Sequence, residues 1–259
     1  MSNFKFYRFS LMRERTIIFV AAFFTAITIS PAISRSPADS AAQRLVEQGK
    51  IFLAENKLKE AEQSFKQALK KDRHLAAAMA GLGQVHLARE EWGDANDWFE
   101  KVLAQEPDNL DAMYHRGICF RETGKFKVLL LRKFDWDNSA KYFKRVLAKD
   151  SLFYDTLYQY ALLLRYRDKF TEAISLGHHQ VRLKPELVGA QRGLFRLYHY
   201  FLDNRSEEEV VAWLRENDSA HARYFIGEAY RRAGKLAAAD SVLWQWLASK
   251  PSASIIPAY

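Results

Sequence analysis

Cysteine, proline and glycine are scarce in this chain of 259 residues, and each shortage excludes a class of structure. Cys119 is the single cysteine, so the chain cannot form an internal disulfide. Because Cys119 lies among apolar residues of a predicted helix, we expect a buried structural thiol and not a nucleophile. The chain has only six prolines and eleven glycines, which disfavours an all-β fold, because such folds use both residues at their turns.

Catalytic and metal-binding motifs are missing as well. The sequence contains no His-Glu-x-x-His zinc motif, no glycine-rich phosphate loop and no Gly-x-Ser-x-Gly nucleophile elbow. His178 and His179 are adjacent, so they point to different faces of a helix and make a poor metal pair. We therefore predict a protein that is not an enzyme and has no catalytic residue, no cofactor and no metal site.

The overall composition is that of a folded protein with more basic than acidic residues. Hydrophobic residues make up 49% of the chain and charged residues 27%, which is enough apolar material for a core. The formal net charge is +8. A charge of this size could suit nucleic acid, an anionic membrane face or acidic proteins, and by itself it selects none of them.

The N-terminus has the pattern of an export signal. Four basic residues precede the uncharged run 16–29, and small residues follow it at 30–34. We predict that residues 1–34 form a signal peptide, cleaved after Ser34 or after Ala32, and that the protein is periplasmic or secreted. Removing this segment takes away four basic residues and one acidic residue, which lowers the charge from +8 to +5. The alternative is an uncleaved membrane anchor at residues 16–29, although a membrane span needs about 20 apolar residues.

An internal repeat is the strongest signal in the rest of the chain. Gly49, Gly83 and Gly117 recur 34 residues apart, each inside an amphipathic segment. A small residue at a recurring position lets two helices approach closely, because a larger side chain would separate their axes. A non-repeating helical bundle with chance periodicity is the alternative, but amphipathicity alone does not require several positions to recur in phase.

The repeated positions resemble those of the tetratricopeptide repeat (TPR), a unit of 34 residues that forms two antiparallel helices. Small residues stand at positions 8 and 20, with an aromatic residue at position 24. The segment AAMAGLGQVHLAREEWGDANDWFEKVLAQEP at 77–107 is similar to this family almost throughout. The resemblance implies an all-α, right-handed superhelical solenoid of about six helix-turn-helix repeats, of an exported bacterial type.

The repeats divide the chain into an array with short ends. We predict a linker at 35–41, an array at 42–251, and a tail at 252–259 that could begin a further repeat. The repeats start near residues 42, 76, 110, 154, 188 and 220. Gly177 replaces the aromatic residue at position 24 of the fourth repeat, which predicts looser packing there.

Ten extra residues, 127–136, interrupt the third repeat between its two helices. The insert contains four consecutive apolar residues, more than a free loop requires. We expect it to prolong the two helices and to present an apolar tip to a partner, or alternatively to fold back onto the array. On the first interpretation, deleting the insert leaves the stability nearly intact.

The resemblance implies a concave groove lined by the first helix of each repeat, and it places aromatic and cationic residues there in repeats three to six. The candidate partner-binding residues are Tyr114, Arg121, Tyr158, Arg165, Tyr166, Arg192, Arg196, Tyr200, Tyr224 and Arg231. Tyr and Arg are enriched at binding hot spots, and Arg pairs with carboxylates. The alternative is that these side chains only pair with neighbouring carboxylates such as Asp155, Glu122 and Glu228.

These observations predict a non-catalytic scaffold outside the cytoplasm that binds a protein or peptide, including acidic ones, in its groove. We expect membrane contact only through an uncleaved N-terminus. The last predicted helix carries Leu243, Trp244, Trp246 and Leu247, so a homodimer through this C-terminal edge is a further expectation. Two alternatives remain open: the N-terminal part of a larger envelope enzyme or assembly factor, and an RNA-binding helical repeat, against which the export signal argues.

Overall fold

The computed structural model describes residues 37–185, 188–217 and 220–249, and all regular structure in them is α-helical. This confirms the predicted all-α class. Twelve helices follow in order: α1 Pro37–Ala54, α2 Leu58–Lys71, α3 Ala76–Ala88, α4 Trp92–Gln105, α5 Leu110–Lys125, α6 Leu129–Lys149, α7 Thr156–Tyr166, α8 Phe170–Leu183, α9 Val188–Asn204, α10 Glu207–Glu216, α11 Ala220–Arg232 and α12 Leu236–Ala248.

The helices form six hairpins, in which an odd-numbered helix A is followed by an even-numbered helix B. Each helix packs mainly against the helices directly before and after it in the chain. Helix α1 also contacts α3, α5 contacts α7, α7 contacts α9, and α9 contacts α11. Because helices A touch each other across neighbouring repeats, they form the inner layer of a solenoid.

The regular spacing of glycine has a direct cause in the packing of the aromatic residue at position 24. A Cβ atom added to Gly83 would lie 2.7 Å from the Phe99 ring, and one added to Gly117 would lie 2.6 Å from the Phe143 ring. Both rings are fully buried. In the second and third repeats helix A therefore needs glycine at position 8, because the ring of helix B occupies the space of a side chain.

Two positions that depart from the repeat pattern are satisfied by other means. Ser139 stands where alanine is usual, and its fully buried hydroxyl donates to the Gly117 carbonyl at 2.7 Å. Gly177 lacks the aromatic ring, but a Cβ atom there would meet Leu194 and Leu197 of α9 at 3.0 Å. The predicted looser packing at Gly177 is therefore wrong, since leucines of the next repeat fill the space.

Cys119 lies in α5 with no exposed surface, as expected for a structural thiol. Burial raises the pKa of this thiol to about 12. Only a very small fraction of Cys119 is therefore ionised at neutral pH, and the folded protein keeps the reactive thiolate form rare.

The insert lengthens the third hairpin, as the first interpretation predicted. Helix α5 runs to Lys125, and α6 already begins at Leu129, seven residues before Trp136. We call residues 126–134 the hairpin tip. Its six apolar side chains are all more than half exposed: Phe126, Val128, Leu129, Leu130, Leu131 and Phe134.

The last two residues of the insert, in contrast, are packed into the repeat. Asp135 is buried and accepts hydrogen bonds from Thr123 Oγ1 at 2.8 Å and from Lys127 Nζ at 2.7 Å. The Trp136 indole donates to the Arg121 carbonyl at 3.2 Å and lies where a side chain at Gly124 would be. The prediction that the whole insert can be deleted at little cost is therefore corrected, because two of its residues belong to the packed structure.

The ends of the array differ from the sequence-based boundaries. Residues 37–41, predicted as a linker, belong to α1, so this helix begins earlier than predicted. The predicted signal peptide or anchor at 1–34 and the tail at 252–259 lie outside the described residues. Within the described part of the chain, no helix is long and apolar enough to cross a membrane.

Candidate functional site

Three of the ten predicted groove residues are held by carboxylates or amides of the protein itself. The Tyr114 hydroxyl donates to Asp155 at 2.5 Å, and burial together with this carboxylate raises the pKa of Tyr114. The buried Arg121 guanidinium pairs with Glu122 at 2.8 Å and also donates to Gln159. These contacts join neighbouring repeats, because both Asp155 and Gln159 lie in the fourth one.

Arg231 is paired in the same way. It contacts Glu228 one helical turn before it at 2.8 Å, and this hydrogen bond lowers the pKa of Glu228. Since Arg231, Arg121 and Tyr114 are already bonded, we assign them to structure and not to partner binding.

Tyr158 and Tyr224 pack between helices. The Tyr158 ring lies against Gly193, where an added Cβ atom would be 2.8 Å away. The Tyr224 ring contacts Trp246 with ring centres 5.1 Å apart and Phe225 with centres 5.0 Å apart. Both tyrosines therefore contribute mainly to the contacts between neighbouring helices.

The remaining predicted residues include three that the structure brings together. The Arg165 guanidinium carbon lies 4.3 Å from the centre of the Tyr166 ring and 3.6 Å from the centre of the Tyr200 ring. Arg165 and Tyr166 lie at the end of α7, whereas Tyr200 lies near the end of α9. Two helices A thus hold one arginine between two aromatic rings.

Two residues that the sequence analysis did not select extend this arrangement. Trp136 stacks on Tyr166 with ring centres 6.2 Å apart, and the Lys125 ammonium lies 4.7 Å from the same Tyr166 ring. Burial lowers the pKa of Lys125, but Glu122 and Tyr166 together outweigh burial, and the net shift is upward. We call Lys125, Trp136, Tyr166, Arg165 and Tyr200 the cation–aromatic row.

Arg165 has unused hydrogen-bonding capacity, which sets it apart in the row. Its Nε atom is buried and has no hydrogen-bond partner. No carboxylate within the described residues forms an ion pair with Arg165, in contrast to Arg121 and Arg231. Two aromatic rings lie close to the guanidinium, and no described carboxylate pairs with it, so Arg165 has donors left for an external acceptor.

Arg192 and Arg196 lie on α9, eight and four residues before Tyr200 respectively, so all three share one face of the helix. Both arginines are exposed, and neither has an ion pair with any residue that the structure describes. Two unpaired cations therefore lie on the same face of α9 as Tyr200, which belongs to the cation–aromatic row. The positive charges are not cancelled locally, which favours an acidic ligand.

A cleft of about 680 Å³ is lined by residues of α6, α7 and α8. Lys141 and Lys144 line it as exposed cations, whereas Arg167 pairs with Asp137 at 3.0 Å and Lys169 with Glu172 at 2.5 Å. The sequence analysis did not identify this cleft. Two of its five cations are paired, and among the described residues no cation–aromatic contact comparable to that of Arg165 joins Lys141 or Lys144 to a ring.

One group of side chains has metal-ligand chemistry. Among the described residues, His86, Glu91 and Asp94 place one ligand atom each within 4.8 Å of one another. His86 Nδ1 already bonds Glu91 at 2.6 Å, and the Arg89 guanidinium lies 4.0 Å from the same carboxylate. The positive charge of Arg89 opposes a bound cation, so we assign the group to the turn between α3 and α4.

The C-terminal edge of the described array exposes part of its apolar surface. Trp244 is 71% exposed, and Leu247 is 46% exposed. Trp246 is buried against Tyr224 instead, so only one of the two tryptophans is available at the edge.

Comparison with known proteins identifies the repeat. Residues 52–116 match the tetratricopeptide repeat family. Residues 52–116 are built from tetratricopeptide repeats. The fold of the chain resembles that of a TPR protein from Parabacteroides merdae, with 15% identity, a TM-score of 0.55, and coverage of 91% of this chain and 87% of the other.

A second solved TPR structure, pilF of Pseudomonas aeruginosa, gives a similar result, with 15% identity and a TM-score of 0.54 over 83% of this chain and 95% of the other. At this identity the likeness concerns the fold. No curated protein sequence is detectably related to the chain. TPR arrays are typically non-catalytic scaffolds for protein–protein interaction, and the fold of the present chain suggests the same role.

Proposed function

We propose that this TPR array is a non-catalytic scaffold that binds an acidic segment of a partner protein along its helices A, with Arg165 as the anchor. The observation that carries the proposal is the stacked guanidinium of Arg165, whose Nε is buried and unpaired. A buried donor without an acceptor is costly, and a shift of the Arg165 side chain towards a ligand carboxylate would give it one.

The ligand is expected to be a carboxylate on an extended or helical peptide. Arg offers a planar fork of donors that matches the two oxygens of a carboxylate. The Tyr166 and Tyr200 rings would contact the apolar part of the ligand, while Arg196 and Arg192 would attract further acidic residues along α9. Aromatic residues flanking a fixed arginine are typical of binding hot spots.

The proposal places the scaffold outside the cytoplasm, in the periplasm or secreted. This part depends on the basic and apolar pattern of residues 1–34 in the sequence. Appearance of the full-length chain in the cytoplasmic fraction, with no processed form, would contradict it.

The binding proposal can be tested with an array of peptides in which every Asp- or Glu-bearing peptide has an Asn or Gln twin. The native chain should prefer the acidic members. In Arg165→Gln this preference should fall by about 10- to 100-fold, because a hydrogen bond to a charged group contributes about 1.5–3 kcal/mol.

Arg73→Gln is the matched control, because Arg73 is an exposed arginine in the turn between α2 and α3. It should bind as the native chain does, and both variants should keep the native circular dichroism spectrum. Equal binding of acidic peptides and their twins by the native chain, or an unchanged preference in Arg165→Gln, would refute the proposed site.

A further inference from the structure

The hairpin tip is the most apolar exposed segment that the structure describes. Phe126 is 82% exposed, Leu129 80% and Leu130 79%, and even Leu131 is 53% exposed. Folded proteins rarely leave so many large apolar side chains together in water without a use for them. The tip joins α5 to α6, and α6, with 21 residues, is the longest helix that the structure describes.

The apolar side chains surround the tip instead of forming one face. Leu129, Leu130 and Leu131 are consecutive in the first turn of α6, so each points about 100° away from the one before it. A protein partner that binds one helix face needs apolar residues three or four positions apart. A segment that is apolar all round suits a medium that can enclose it, such as the acyl region of a bilayer.

The charged residues within the hairpin tip are all basic. Residues 126–134 contain Lys127, Arg132 and Lys133 and no acidic residue. Lys127 and Lys133 have acidic neighbours outside this segment, at 2.7 Å and 3.1 Å, whereas no carboxylate in the described part of the chain pairs with Arg132. Long basic side chains can keep their charged ends at the headgroup level while their stems follow an inserted apolar segment.

The start of α6 departs from the usual chemistry of a helix N-terminus. Val128 at the N-cap position provides no side-chain hydrogen bond, and no acidic residue lies in the first turn. Arg132 and Lys133 follow directly, although a helix N-terminus favours negative charge. The positive end of the helix dipole, its uncapped N–H groups and the basic side chains thus all favour an external anion at the tip.

We infer that the hairpin tip inserts into the interface of an anionic lipid bilayer. The four leucine and valine residues would lie among the acyl chains, and the basic residues would contact lipid phosphates. The array would then be held at a membrane surface independently of residues 1–34. This inference does not depend on the acidic ligand proposed for Arg165, since the two sites use different residues.

The test places an environment-sensitive fluorophore at the tip of the full chain. Leu130→Cys supplies a reactive thiol, because the native Cys119 is buried and its pKa is raised. The thiol is labelled with nitrobenzoxadiazole and mixed with phosphatidylcholine vesicles that contain about 30 mol% phosphatidylglycerol, a typical anionic surface. Ile51→Cys, on α1 and 59% exposed, is the matched control for a distant site.

The expected result is a blue shift and a several-fold rise in fluorescence at position 130, quenched by nitroxide-labelled lipids, with no change at position 51. Binding should be about tenfold or more weaker with pure phosphatidylcholine, because basic residues add attraction to anionic lipid. Leu129→Ser with Leu131→Ser should weaken the response by about tenfold or more, because two buried apolar side chains are lost.

Three results would overturn the inference. One is the absence of any change at position 130 with anionic vesicles. Another is an equal change at positions 130 and 51, which would assign the binding to a different part of the chain. The third is a blue-shifted spectrum at position 130 before lipid is added, which would mean that another segment or a second copy covers the tip.

Discussion

Gly83 and Gly93 lie ten residues apart in the second repeat, and alanine should have opposite effects at the two sites. Gly83 is buried in α3, and an added Cβ atom would lie 2.7–2.9 Å from three atoms of the Phe99 ring. Gly93 is exposed in the first turn of α4, and no atom lies within 4 Å of a Cβ atom there. Both variants replace a helical glycine by alanine, so the difference between their free energies of unfolding reports mainly the cost of the contact with Phe99.

The magnitude follows from two opposing contributions. Alanine favours a helix interior over glycine by about 1 kcal/mol, and somewhat less in a first turn. Excess volume in a packed core costs about 1–3 kcal/mol. The upper half of that range applies to Gly83, because the Phe99 ring is fully buried and its other side stacks on His115 at 4.9 Å. We expect Gly83→Ala to destabilise by about 1–2 kcal/mol and Gly93→Ala to stabilise by about 0.5 kcal/mol.

Urea unfolding followed by circular dichroism at 222 nm measures both changes. A third variant shows whether Phe99 is the obstacle: in the Phe99→Leu background, Gly83→Ala should lose most of its cost. If Gly83→Ala stabilises as much as Gly93→Ala, or if its cost is the same with leucine at position 99, the explanation of the repeated glycine is wrong.

Two further predictions concern the insert and the C-terminal edge. Trp136→Ala should destabilise the protein by about 2–3 kcal/mol, because a half-buried indole and its hydrogen bond are lost. Phe134→Ala, at an exposed site, should change the stability by no more than about 0.5 kcal/mol. Similar urea midpoints for the two variants would contradict the packing role of Trp136. Trp244→Glu should shift the chain from dimer to monomer in sedimentation equilibrium while leaving its melting temperature unchanged, and a native chain that is monomeric at every concentration would rule out the dimer.

The repeat frame was predictable because it depends on residues that recur in phase. Glycine at position 8 and phenylalanine at position 24 meet in space, and the pair Gly83 and Phe99 carries this signal in sequence alone. The replacement of the ring near Gly177 by Leu194 and Leu197 was not predictable, because those leucines belong to the next repeat and have no fixed position in the pattern.

The groove was only partly accessible from sequence. Position in the repeat indicates which residues face inward, but it does not show which of them find an internal partner. Tyr114 and Asp155 are 41 residues apart, and their hydrogen bond depends on the length of the insert between them. The stacking of Arg165 between Tyr166 and Tyr200 likewise requires the distance between two helices. The stacking of Trp136 on Tyr166 was not predictable, because the insert has no counterpart in the repeat pattern.

The contacts of the solenoid join helices that are close in the sequence, and this has a consequence for how the protein folds. Each helix packs against helices one or two places away, so every hairpin completes its contacts with the chain that emerges soon after it. Such an array can fold progressively from its N-terminal end during synthesis or transport, without waiting for distant segments. The third and fourth hairpins together already hold Lys125, Trp136, Arg165 and Tyr166, and the row is then completed when α9 brings Tyr200 into place.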